Sequence, residues 1–235
     1  MPVAIRMKRP ASTPVKHVCG WEFELAARAD GAVRSAGLDE VGRGPLFGPV
    51  VAAAVILPQN AKLEGLTDSK QLSEQERIRL DQVVREVAVA WAIAEVDAAT
   101  IDRINILQAS RLAMRLAVSR LSHTPDCLLI DGNQRIEWGC AQQTIVQGDA
   151  RCLSIAAASV IAKVYRDRVI CELDEKYPGY GLRSNMGYPT PAHRAALRRL
   201  GPTELHRRTF RGVVEVCDSR GEVGRLAFPQ GLKPH

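Results

Sequence analysis

The chain predicts a mixed α/β fold, because strands dominate its first part, helices follow, and the two do not alternate strictly as in a barrel. Two segments carry that prediction. Residues 50–57, Val-Val-Ala-Ala-Ala-Val-Ile-Leu, form an apolar run with β-branched residues near both ends, closed by Pro58. That is the pattern of a buried strand. Ser154 to Lys176 has helical periodicity, with Ile155, Ala158, Ala162, Tyr165 and Val169 on one stripe. Ser159, Lys163 and Asp167 follow at four-residue spacing on another. At 235 residues and 46% hydrophobic content, the chain suffices for one large domain, or one with a small appendage.

The elements follow in order. Trp21 to Arg28 is expected to form a short helix, and Ser35 to Asp39 a first strand. Ser73-Glu74-Gln75-Glu76 has the form of a capping box and starts a helix to about Glu86. Val87 to Val96 is apolar and β-branched, a third strand. Residues 98–121 read as helix broken near Asn105. Cys127–Ile130 and Gln142–Gln147 are short strands. Pro178-Gly179-Tyr180-Gly181 ends the long helix, and Pro189-Thr190-Pro191 precedes a last one at Ala192 to Leu200. Residues 1–20 are expected to be a basic, disordered tail and 219–235 a flexible one. Between them lie a catalytic domain at 21–185 and a helical substrate-binding extension at 186–218.

The net charge is +6. It sits at the ends: residues 1–35 carry six bases and three acids, residues 198–235 eight and four, and the middle eighteen and nineteen. Basic ends suit a polyanionic partner. The N-terminus lacks the apolar core of a secretion signal, and no stretch is long enough to cross a bilayer, so a cytoplasmic protein without a membrane is expected. The six cysteines form no Cys-x-x-Cys pair, which predicts free thiols and no zinc. Cys127 and Cys171 are expected to pack as small apolar residues. A dinucleotide-binding loop is excluded because Phe47 stands where its third glycine would be. A P-loop and a Gly-x-Ser-x-Gly elbow are both missing.

The chemistry concentrates in Ala36-Gly37-Leu38-Asp39-Glu40-Val41-Gly42-Arg43-Gly44-Pro45. Adjacent carboxylates repel unless a cation offsets them, and Mg²⁺ prefers such oxygen ligands. Arg43 lies between two residues without side chains, in a turn a ligand can approach closely. Two further acids leave strand ends beside glycines: Asp131 in Asp131-Gly132-Asn133, and Asp149 after Gln147-Gly148. Asp-Gly is also a favoured turn, and Asp149 could equally cap the helix that follows. Together, Asp39, Glu40, Asp131 and Asp149 could converge at one sheet edge and hold two divalent cations for phosphodiester hydrolysis.

This decapeptide resembles the signature of bacterial ribonuclease HII, the type 2 ribonucleases H. The resemblance continues through Asp68-Ser69-Lys70, Leu129-Ile130-Asp131-Gly132-Asn133, Gly148-Asp149, residues 157–163, Gly187-Tyr188-Pro189-Thr190 and His206-Arg207-Arg208-Thr209-Phe210. It implies an RNase H-like mixed sheet flanked by helices, with a small helical C-terminal extension. It further implies a Mg²⁺- or Mn²⁺-dependent endonuclease acting on RNA–DNA hybrids and on duplex DNA containing ribonucleotides, as a monomer. The cut would fall 5′ to the ribonucleotide and leave a 3′-hydroxyl and a 5′-phosphate.

Carried over by position, Asp39, Glu40, Asp131 and Asp149 are the expected metal-binding catalytic acids. Gly42, Arg43 and Gly44 would meet the 2′-hydroxyl, Tyr188 a deoxyribose, and Lys70, Ser159 and Lys163 phosphates. Gln147, Met186 and Ala156 depart from common family residues, which would lower phosphate affinity. A hybrid-binding protein without catalysis and a two-metal DNA exonuclease are the rival readings, separated by whether hybrids or all-DNA duplexes are cut.

Overall fold

The computed structural model describes residues 19–59, 61–219 and 221, so of the tails expected at 1–20 and 219–235 only residues 19–20, 219 and 221 are described. Gly20 bridges to Cys152 and Ser219 ends a helix, while 1–18, 220 and 222–235 lie outside the described residues. In chain order the elements are α1 (Glu22–Ala29), β1 (Ser35–Val41), β2 (Val50–Ile56), α2 (Glu74–Val87) and β3 (Ala90–Val96). Then come α3 (Ala98–Ile104), α4 (Ile106–Ser119), β4 (Cys127–Asp131), β5 (Ala141–Ile145) and α5 (Leu153–Lys176). Three short helices close the list: α6 (Leu182–Asn185), α7 (Pro191–Leu200) and α8 (Val214–Ser219).

The strands form one sheet in the order β3-β2-β1-β4-β5. β1, β2 and β3 are joined antiparallel, whereas β4 and β5 run parallel to β1. This mixture sends the C-terminal ends of β1, β4 and β5 to the same edge.

β2 is buried along its whole length, as its composition predicts. Its alternation divides the core: Val50, Ala52, Ala54 and Ile56 face α4, while Val51, Ala53 and Val55 face α2 and α5. Small side chains let helices pack close to the sheet. The closest approach is at Gly37 of β1, where a Cβ would lie 2.1 Å from the Ser154 carbonyl carbon. Glu24 of α1 then accepts from the Ser154 backbone N–H at 2.8 Å, placing a carboxylate at the N-terminus of α5.

Several boundaries differ from expectation. β1 extends through Glu40 to Val41, and β3 starts at Ala90 because α2 runs on to Val87. The Ser73 capping box forms in full. Asn105, at φ 67°, splits α3 from α4 and caps α4 through Gln108 N–H. β5 stops at Ile145, and Gln147 turns left-handed instead of continuing it. Cys171 is half-buried rather than packed in the core, and all six cysteines are free.

The largest correction concerns α5. Residues 153–162 are buried on every side, and beyond them Arg166 and Ile170, not Tyr165 and Val169, occupy the buried face. The reason is that the loop between β1 and β2 and the chain after α5 both cover that face, so that Ile170 shares a core cluster with Leu46, Phe47, Leu182 and Leu197. α8 was not anticipated from the sequence. Among the described residues, no helix is long and apolar enough to cross a membrane.

Candidate active site

The shared edge of β1, β4 and β5 gathers the four acids. Asp39 lies near the end of β1 and is 7% exposed, with Glu40 beside it. The register that pairs Leu38 with Ile130, and Ile130 with Thr144, puts Asp131 at the matching end of β4. Asp131 Oδ1 accepts from Gly148 N–H at 2.7 Å, which fixes the 3₁₀ turn carrying Asp149. A Cβ at Gly148 would lie 2.6 Å from Ile155 Cδ1, so this turn sits tightly on α5.

Electrostatics couple the group. Burial pushes the Asp39 carboxyl well above the usual range, Glu40 and Asp131 push it further, and a hydrogen bond from Ser159 opposes them. Burial also raises Glu40, with Arg43 partly offsetting it. Asp149 is raised by burial and by Asp131, against the pull of Lys70.

Three of the acids are held by the protein itself. Arg43 Nη1 lies 3.0 Å from Glu40, Lys70 Nζ lies 3.3 Å from Asp149, and Gly148 engages Asp131. Accordingly, no three His, Cys, Asp or Glu side chains among the described residues stand together at metal-ligand spacing. The donor chemistry nonetheless fits a hard divalent ion. All four candidates are carboxylates, and burial together with neighbouring carboxylates raises Asp39, Glu40 and Asp149, so a bound cation would offset both costs.

Next to the acids runs the Gly42-Arg43-Gly44 turn, and two buried arginines hold it. Arg207 donates from Nη2 to the Gly42 carbonyl at 2.6 Å, from Nη1 to Arg43 at 3.0 Å and from Nε to Gly48 at 3.0 Å. Arg166 donates to the carbonyls of Pro49, Phe47 and Met186 at 3.1–3.2 Å. Both guanidinium groups are fully buried. Burial and the neighbouring Arg166 push the Arg207 pKa down to about 9.

Gly42 has φ +92°, and a Cβ there would meet Arg166 Nε at 2.3 Å, so both backbone and packing require glycine. Backbone bonds complete the brace: Leu46 N–H to Gly187 O at 2.8 Å, Gly48 N–H to Leu205 O at 2.9 Å, and Arg207 N–H to Leu46 O at 2.8 Å. Asp102 of α3 accepts from the N–H groups of Arg208 and Thr209, anchoring the segment that presents Arg207.

The other expected contacts divide. Tyr188 is 40% exposed and its ring flanks Gly44: a Cβ there would lie 3.6 Å from Tyr188 Cε1. Lys70 is exposed beside Asp149. Lys163 pairs with Asp167 at 2.7 Å on α5 and is mostly covered. Ser159, expected at a phosphate, is buried with its hydroxyl 2.9 Å from Ser69 Oγ, and it lowers the neighbouring Asp39 carboxyl.

Arg166, Arg207 and Asp102 went unassigned in the sequence. A signal existed for Arg166, since an arginine four residues after Ala162 interrupts an apolar stripe, and a cation there must find buried acceptors.

The ribonuclease HII family model matches residues 36–213, well over half of the chain. The chain belongs to the ribonuclease HII family. Ribonuclease HII of Solibacter usitatus is 51% identical over 205 residues, covering 87% of this chain and 90% of the relative. That of Geobacter sulfurreducens is 51% identical over 195 residues, covering 83% and 90%. Among solved structures, ribonuclease H2 of Pyrococcus horikoshii superposes with a TM-score of 0.68 at 25% identity, covering 80% of this chain and 98% of that one. Bst-RNase HIII in complex with Mn²⁺ shares the fold at a TM-score of 0.64 and 21% identity, covering 84% and 73%. The chain is therefore a type 2 ribonuclease H, a hydrolase of RNA–DNA hybrids.

Proposed function

We propose that the enzyme nicks duplex DNA on the 5′ side of an embedded ribonucleotide, besides cutting RNA in hybrids, and that it leaves a 3′-hydroxyl and a 5′-phosphate. One observation carries this reading. The carboxylate edge and the Gly42-Arg43-Gly44 turn are continuous, since β1 passes from Asp39 and Glu40 directly into the turn, and Arg43 bonds back to Glu40.

Asp39, Glu40, Asp131 and Asp149 would hold divalent ions, Mg²⁺ or Mn²⁺. When bound, such a pair supplies water activation and charge stabilisation at the leaving oxygen. The Gly42 and Arg43 carbonyls are already engaged by Arg207, which fixes the backbone path before substrate arrives. A fixed turn suits recognition of the 2′-hydroxyl, the group that separates RNA from DNA. Tyr188, beside Gly44, would lie against the next deoxyribose and report that the following residue is DNA. Lys70 would draw a phosphate toward Asp149, with Lys163 next to it along the strand. Ser159 would orient Asp39. The enzyme is expected to act as a monomer.

The test is an end-labelled DNA duplex carrying one ribonucleotide, incubated with Mg²⁺, Mn²⁺ or EDTA beside an all-DNA duplex. A metal-dependent nick 5′ to the ribonucleotide, absent from all-DNA, is expected. Cutting of long hybrids without a nick at the single ribonucleotide would remove the junction role. Binding without any cleavage would remove catalysis.

A further inference from the structure

Behind Tyr188 lie two histidines that the hydrolytic scheme does not use. His193 on α7 and His206 in the segment before Arg207 are 0% and 1% exposed, and their Nε2 atoms stand 3.4 Å apart. Phe47 packs edge-on against His206 with ring centroids 4.9 Å apart, and Tyr180 covers it at 5.0 Å.

The surrounding bonds determine which nitrogen carries each proton. Thr203 N–H can only donate, and it points at His206 Nδ1 from 3.0 Å. His206 Nδ1 is therefore the acceptor, and a neutral ring carries its proton on Nε2. That proton faces His193 Nε2, which must accept it, so the His193 proton sits on Nδ1. His193 Nδ1 lies 2.9 Å from the Tyr188 carbonyl and donates to it. The result is a directed chain from Thr203 through both rings to the backbone of Tyr188. It closes only when both imidazoles are neutral, because two charged rings would set donor against donor.

We propose that the His206–His193 pair is a positioning relay that holds Tyr188 in register beside Gly44 and so sharpens recognition of the sugar following the ribonucleotide. The proposal rests on the reading of Tyr188 as a sugar contact. Tyr188 needs such a hold because its ring is exposed while Met186 (φ 50°) and Gly187 (φ 79°), just before it, both have left-handed backbone. The Tyr188 carbonyl also receives Thr190 N–H at 2.8 Å, so His193 completes a two-donor clamp on one oxygen. Neither histidine touches substrate; both act through the tyrosine.

The experiment combines three readouts on the full chain. Ring ¹⁵N NMR at pH 7 should show both histidines neutral, with His193 protonated on Nδ1 and His206 on Nε2; the opposite tautomers or a charged ring would overturn the relay. In His193→Phe, which keeps the ring and removes the donor, amide exchange at Tyr188 and Thr190 should quicken about tenfold or more. His193→Asn retains a donor near the Nδ1 position and should restore protection. KM for the single-ribonucleotide duplex should rise severalfold in His193→Phe with kcat little changed, and this rise should vanish in a Tyr188→Ala background.

Unchanged exchange in His193→Phe, or an equal KM rise in both backgrounds, would overturn the relay. Should His193→Phe not fold, His206→Asn takes its place, since it keeps an acceptor for Thr203 and loses the contact to His193. If Tyr188→Ala alone leaves nicking intact, the sugar reading falls, while tautomers and exchange still decide the relay.

Discussion

The carboxylate edge and the loop beside it are solved by opposite means. At the edge, like charges are held in partial burial, and Asp39, Glu40 and Asp149 all have raised pKa values because they are buried and because neighbouring carboxylates add to the cost of ionisation. In the loop, Arg166 and Arg207 each make three hydrogen bonds to backbone carbonyls, and positive charge is fully embedded. The edge keeps its carboxylates short of a full set of partners, which suits the metal uptake and product release proposed for it. The loop is satisfied in advance, which suits the hydroxyl recognition proposed for it, because an adaptable backbone would fit DNA and RNA alike. Proposed chemistry and proposed recognition thus lie side by side, one region short of counter-charge and the other fully hydrogen-bonded.

Breaking the edge should have the largest effect on turnover. Asp39→Asn removes one ligand charge at nearly constant shape, and kcat should fall by about 10³-fold or more. Duplex affinity, read by fluorescence anisotropy, should stay within a few-fold. Breaking the loop should instead cost stability. Arg207→Met leaves the carbonyls of Gly42, Arg43 and Gly48 without their donor, a loss of about 3 kcal/mol, or roughly 6–12 °C in Tm by calorimetry.

Acid should weaken the same half. Burial, His193 and Arg208 lower the His206 pKa from 6.5 to about 3. His193 is also lowered, by burial and by Arg194. The unfolded chain therefore binds these protons first. The stability tied to the neutral rings is full above about pH 6.5 and is lost as pH falls toward 3, with a slope of up to about 1.4 kcal/mol per pH unit for each group. The raised carboxyls of Asp39, Glu40 and Asp149 act in the opposite sense, so the histidine effect is read as a difference. The pH dependence of the urea midpoint between about pH 7.5 and 5 should have a smaller acid-destabilising component in His206→Asn than in wild type.

Lys70→Ala sharpens the comparison from the other side. Its side chain is 79% exposed, so the pair with Asp149 contributes little to folding, and Tm should move by less than about 2 °C. KM should rise a few-fold through loss of the proposed phosphate contact.

The two halves also differed in how far the sequence revealed them. Asp39, Asp131 and Asp149 were legible because strand ends flanked by glycines are local patterns, and the parallel pairing of β1, β4 and β5 then brings those ends together. The break at Asn105 and the Ser73 cap were legible for the same reason. The loop brace was not, because it joins Gly42 to Arg207 across 165 positions. No local periodicity encodes such a contact. Periodicity also put Tyr165 and Val169 on the buried face of α5, where the loop at 42–49 and the segment around Met186 cover Arg166 and Ile170 instead. The burial of Ser159 against Ser69 was likewise invisible, since the two lie 90 positions apart.

The most direct test follows cleavage of one duplex bearing a single ribonucleotide and one long RNA–DNA hybrid by wild type, Asp39→Asn and Gly42→Ala, all with Mg²⁺. Gly42→Ala strains a left-handed residue and drives a methyl group onto Arg166 without touching an acid. Asp39→Asn should lose both activities together. Gly42→Ala should lose the single-ribonucleotide nick at least about tenfold more than hybrid cleavage, a difference near 1.4 kcal/mol in transition-state stabilisation. Equal losses on both substrates in Gly42→Ala, or activity retained in Asp39→Asn, would contradict the division between an open catalytic edge and a braced reading loop.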